Sequence, residues 1–166
     1  MNLVLDKKRY WDDHIPYRIS ILKAGITTYK ESNDINVGIR NACFVGCAIT
    51  VRQLINFFGI DVENKQTCPN LKVFQKGKYN SDVLIKDIDG EMISINDLNP
   101  SEKKMLINAF LTGDRAAAHL TDYSSKGSYG GDSDVVIEAA EFLLEQLRIK
   151  LYKIIDKEMP DSWRPS

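Results

Sequence analysis

The chain has two histidines, His14 and His119, and each stands four residues from an arginine: Arg18 follows His14, and Arg115 precedes His119. On a helix that spacing puts both side chains of a pair on one face, one turn apart. An imidazole titrates near neutral pH and can move protons. A guanidinium stays charged and can hold a phosphate through two hydrogen bonds. Together they suffice for RNA cleavage without a metal. The histidine takes the 2′-hydroxyl proton or protonates the leaving oxygen, and the arginine stabilises charge developing on the phosphate. Within the segment Asp114-Arg115-Ala116-Ala117-Ala118-His119, Arg115 and His119 are the candidate catalytic residues.

A plainer reading stands beside this one. Three alanines in a row form helix readily and make a small surface for close packing. His119 can bond a backbone carbonyl at a helix end, and Arg115 can pair with Asp114 or Asp122. Asp12 and Asp13 flank His14, which suits a local polar cluster near a helix start. A composite site of His14 and Arg115 is a further arrangement that the spacing alone does not support.

Other chemistry has less to stand on. Cys43 and Cys47 sit one helical turn apart in an apolar segment, where free thiols act as small hydrophobes. Their spacing to Cys68 and a histidine matches no zinc pattern. The loop Lys126-Gly127-Ser128-Tyr129-Gly130-Gly131 lacks the Walker spacing, and Asp132 and Asp134 follow at once. Asp87-Ile88-Asp89-Gly90-Glu91 lacks the ligand series of a calcium loop. No cofactor and no metal are expected.

The elements that must position these residues follow from composition and periodicity. The chain has 166 residues, 43% hydrophobic and 27% charged, with a net charge of −1. One soluble domain with its own core is expected, over residues 1–157, with a flexible tail over 158–166. Lys7-Lys8-Arg9 and the looser group Lys72, Lys76 and Lys78 read as solvated surface, so tight non-specific binding of long nucleic acid is disfavoured. There is no apolar run long enough to cross a bilayer and no signal-peptide core at the N-terminus. With an odd number of cysteines, a reducing, cytoplasmic setting is expected.

The apolar spacing predicts four helices. The first spans about Pro16 to Tyr29 after an irregular start at Trp11 to Ile15, with Trp11, Ile15, Leu22, Ile26 and Tyr29 facing inward. The second spans about Val37 to Phe58. Its stripe Ile39, Cys43, Cys47, Thr50, Leu54 and Phe58 is broad enough for a central position. Gly46 and Ala48 leave room for a neighbour, and Gly59 closes the helix. The third opens at Asn99-Pro100-Ser101-Glu102 as a capping box, with Met105, Leu106, Ala109 and Phe110 inward. Gly113 is a possible break, after which Asp114 could cap a fresh turn. The fourth spans about Ser133 to Lys157 on the stripe Val136, Ala140, Leu143, Leu147, Leu151 and Ile154, with acidic residues ahead of basic ones. Between the second and third helices, Asp89-Gly90 joins two strand-like runs, Val83–Ile88 and Glu91–Ile95. This predicts a small β-hairpin insertion over about 80–97. The fold class is thus all-α in the main, a four-helix bundle with a hairpin insertion.

A four-helix core with an Arg…His motif near the third helix resembles the HEPN superfamily, over about residues 10–157. The resemblance implies a metal-independent ribonuclease of a toxin–antitoxin or phage-defence system. It also implies a homodimer in which two motifs line one cleft, with RNA as substrate and a partner protein such as an antitoxin. Arg115 would be the phosphate contact and His119 the proton-transfer group. The three residues between them make a spacing shorter than the family's usual one. The competing class is a non-catalytic interaction or dimerisation module that uses the alanine face and the hairpin. A third is a small-ligand binder within the bundle.

Overall fold

The computed structural model describes residues 5–31, 36–76, 83–118 and 133–162. Within them the chain is mostly helical. Helical turns begin at Lys7–Arg9, widen into a π-helical turn at Tyr10–His14, and continue as α1, Ile15–Lys30. The wide turn has a local cause. Pro16 offers no N–H, and its ring would press on the carbonyl one turn back. Ile15 donates its N–H to the Tyr10 carbonyl, which closes the larger loop.

Helix α2, Val37–Phe57, starts at Asn36, whose side chain accepts the Gly38 N–H at 2.8 Å. It packs against α1 and against both later helices, as its apolar girth predicts. Cys47, Ala48, Thr50, Val51, Leu54 and Ile55 are buried along it. Its first turns depart from the expected stripe. Ile39 is 58% exposed and Val37 61%, so the buried face begins only further along the helix. Gly59 takes φ +87°, the left-handed value the predicted cap requires.

The insertion is where the sequence reading needs correction. A two-stranded antiparallel hairpin does lie between the second and third helices. Its strands are β1, Ile60–Glu63, and β2, Asn70–Val73, with Ile60 opposite Val73 and Val62 opposite Leu71. Over the described residues 83–97 there is no strand. There, Ile85–Ile88 forms a 3-10 turn, closed by Asp89 at φ 70°, and Ile95–Asp97 forms another. The burial pattern gives the reason. Leu84, Ile85 and Ile88 are all buried, a spacing a turn of helix satisfies and a two-faced strand does not. The Asp87 carboxylate accepts the Leu84 N–H at 2.8 Å and holds the turn.

Helix α3, Pro100–Ala118, opens on the predicted capping box. The Asn99 N–H donates to Glu102 Oε2 at 2.8 Å, and the Glu102 N–H donates to Asn99 Oδ1 at 2.9 Å. Helix α4, Ser133–Leu147, passes into a second π-helical turn at Arg148–Tyr152. Val136, Ala140, Leu143, Leu147 and Leu151 are buried as the stripe predicts, but Ile154 is 48% exposed. The extra residue in the π turn rotates the chain by one position. Tyr152 and Ile155 therefore take the inward places. Contacts continue into the expected tail as far as it is described. Met159 packs against the core, and Lys23 Nζ donates to the Asp161 carbonyl at 3.1 Å. No helix of the described residues is long and apolar enough to cross a membrane.

Candidate functional site

The third helix carries the predicted motif, and Gly113 is the key to its course. The helix does not break there: it runs unbroken through Gly113 and Asp114 to Ala118. A Cβ on residue 113 would come within 2.5 Å of the Ala48 carbonyl oxygen and 2.7 Å of the Arg52 Cβ. Glycine is thus present for close helix–helix contact rather than as a stop signal. Asp114 accordingly caps no new turn. Its carboxylate takes Arg52 from α2 and Lys65 from the loop between the strands. Both cations also lie over the Phe110 ring, at 5.4 Å for Arg52 Cζ and 4.6 Å for Lys65 Nζ. The Arg52 approach is an ion pair more than an aligned hydrogen bond, since its buried Nε has no acceptor in line.

Arg115 is exposed, and its Nε donates to the Leu111 carbonyl at 3.3 Å, one turn back. Ala116 is buried and Ala117 exposed, so the alanine run is split between core and surface. His119 lies outside the described residues, as do Asp122 and the glycine-rich loop. The structure therefore describes the arginine of the motif and not its histidine.

His14 sits in the π turn, half-buried, with its ring tilted over Tyr10 at 4.7 Å between centroids. Arg18 reaches back to it through the backbone: one terminal nitrogen donates to the His14 carbonyl at 3.3 Å. Asp12 is engaged by Lys8 and Lys157, and these contacts hold its carboxyl below the usual range. Members of both basic groups are similarly occupied. Lys7 meets Asp89 at 2.6 Å, and Lys76 meets Asp87 at 2.7 Å.

Cys47 is fully buried, and burial pushes its thiol up to about 12, with neighbouring Cys43 adding to the rise. A thiol that stays protonated is core filling and not a nucleophile. Cys68 is exposed. Among the described residues no three histidine, cysteine or acidic side chains converge as a metal site would need.

The described residues form concavities, two of which bear on the site. The larger, about 490 Å3, lies where α1 and α2 meet the insertion, and includes Arg18, Arg52, Gln53 and Asn56 in its lining. The other, about 430 Å3 and shallower, lies between α1 and α4. Arg115 lines neither. Sequence reasoning looked for catalytic arginines only beside histidines and so passed over Arg52. A signal was available: α2 contains just two charged residues, Arg40 and Arg52, and the second falls among buried neighbours. Comparison of the chain with models of known families, with curated proteins and with solved structures yields no match.

Proposed function

We propose that this chain is a HEPN-like helical domain that cleaves RNA without a metal ion, through Arg115 and His119. The observation that carries the reading is the placement of Arg115. It stands on the solvent side of the third helix, in the last two turns of an element that Gly113 leaves intact. The order of elements also supports it: two helices, a small insertion, then the helix bearing the motif and one more. In this reading a second copy completes the cleft. One His119 takes the proton from the ribose 2′-hydroxyl as that oxygen attacks phosphorus. The other gives a proton to the departing 5′-oxygen, leaving a cyclic phosphate and a free 5′-hydroxyl. Arg115 holds the phosphate oxygens as charge builds on them.

The test is cleavage of RNA by purified protein in EDTA. His119→Ala should lower the rate by about a hundredfold or more, with an unchanged circular dichroism spectrum. Equal rates for the two proteins, or no cleavage by the wild type, would overturn the proposal.

A non-catalytic module is the second reading. It is favoured by the 60% exposure of Val73 on the hairpin and by the outward Ala117. It predicts a stable assembly in light scattering that Ala117→Arg dissociates, with no RNA cleavage by either protein.

A further inference from the structure

We propose that the 490 Å3 cleft between α1, α2 and the insertion binds a single phosphorylated nucleoside, at a site separate from Arg115. Two arginines, Arg18 and Arg52, share this lining, and no carboxylate of the described residues joins them. Arg18 has one bonded partner among the described residues, the neutral His14 carbonyl. Its charge is not balanced by any of them. Arg52 is held by Asp114, but Lys65 draws on the same carboxylate, so this end of the cleft keeps a positive excess. Two cationic side chains on one cleft repel each other, and an anion between them removes that repulsion. Phosphate suits two guanidiniums best, because each can donate a pair of parallel hydrogen bonds.

The rest of the lining specifies what the phosphate is attached to. Tyr10, Phe57 and Phe74 contribute aromatic residues to the lining, and bases stack on aromatic rings whatever their identity. Gln53 and Asn56 supply amides, which can read a base edge as both donor and acceptor. Asn56 spends its Nδ2 on the Ile60 carbonyl at 2.9 Å, which fixes the side chain and leaves its oxygen as acceptor. Gln53 is exposed at the rim. The volume falls within the range of roughly 300–1,000 Å3 found for small-ligand sites. A free mononucleotide and the phosphorylated end of an RNA carry the same recognition chemistry.

Calorimetric titration of the full chain with each of the four 5′-nucleoside monophosphates tests this. At least one should bind with one-to-one stoichiometry, and the matching nucleoside and inorganic phosphate should each bind at least about tenfold more weakly. Arg18→Met should weaken the nucleotide by a similar factor while the melting temperature of the free protein stays near the wild-type value. If that variant fails to fold, Gln53→Glu, at the exposed rim, places a negative charge beside the site and should weaken the nucleotide as strongly. A 5′-phosphorylated trinucleotide as an added arm separates the two sources. Tighter binding than the mononucleotide identifies an RNA end, and equal or weaker binding a free nucleotide. No saturable binding of any of the four at millimolar concentration would overturn the proposal. Equal binding of nucleoside and nucleotide, or a folded variant that binds as the wild type does, would overturn it as well.

Discussion

Residue 113 bears on the site through an atom it lacks. Helix propensity alone predicts that Gly113→Ala would stabilise α3 by about 1 kcal/mol. The added methyl would instead meet the Ala48 carbonyl oxygen and the Arg52 Cβ, and neither is the movable end of a flexible side chain. We expect Gly113→Ala to destabilise the protein by about 1–3 kcal/mol, read as a lower urea midpoint with unchanged slope. An unchanged or higher midpoint would show that the two helices separate easily. The course of the helix past Gly113 stayed open in the sequence because sequence reports only the cost of glycine in a helix. The compensating close approach is a tertiary fact. The same gap hid the partners of Asp114. Its immediate neighbour Arg115 looks like the natural mate, but an adjacent helix residue points about a quarter-turn away. The distant Arg52 and Lys65 meet Asp114 instead.

At the scale of elements, the helices were legible and the insertion was not. The reciprocal bonds of Asn99 and Glu102 and the left-handed Gly59 arise from local rules, so the sequence reading and the structure agree there. Val83–Ile88 has the composition of a strand, and Asp89-Gly90 that of a hairpin turn. Composition does not record that three of those side chains, Leu84, Ile85 and Ile88, must all be buried. The π turns were invisible for another reason: a period of 3.6 is counted along the chain, and one wide turn resets the count. This gives a prediction about the end of the fourth helix. Ile155→Ala should cost about 1–3 kcal/mol, whereas Ile154→Ala should stay within about 0.5 kcal/mol. Chemical denaturation of both variants checks it. The reverse order would mean that the stripe continues straight through Arg148–Tyr152.

At the scale of the whole molecule, the insertion joins parts of the chain far apart in sequence. Trp11 Nε1 donates to the Ile88 carbonyl at 3.0 Å, Lys7 meets Asp89, and the Glu91 N–H donates to the Lys150 carbonyl at 2.8 Å. Asp87 anchors this segment. Burial alone would raise its carboxyl, but the bond from Lys76 and the Leu84 N–H outweigh that and hold it below the usual range. A lowered folded value contributes stability above the unfolded value and loses it as pH falls through the folded one. Asp87→Asn keeps an acceptor for Leu84 and removes the charge. It should therefore be less stable than the wild type by about 1 kcal/mol at pH 7, with the gap closing as the solution is acidified below the normal aspartate range. A gap that stays constant with pH would assign the effect to packing. The latch has a further consequence during synthesis. Trp11 and Ile88 are 77 positions apart, and the Lys150 side chain lies 59 positions from its Glu91 partner. Contacts of such span close late, after local helices have formed. A nascent chain would hold its opening turns unsecured until the insertion has left the ribosome, and the insertion half-secured until the last helix follows. Chains halted before residue 150 should thus be the ones most readily cut by proteases near the insertion.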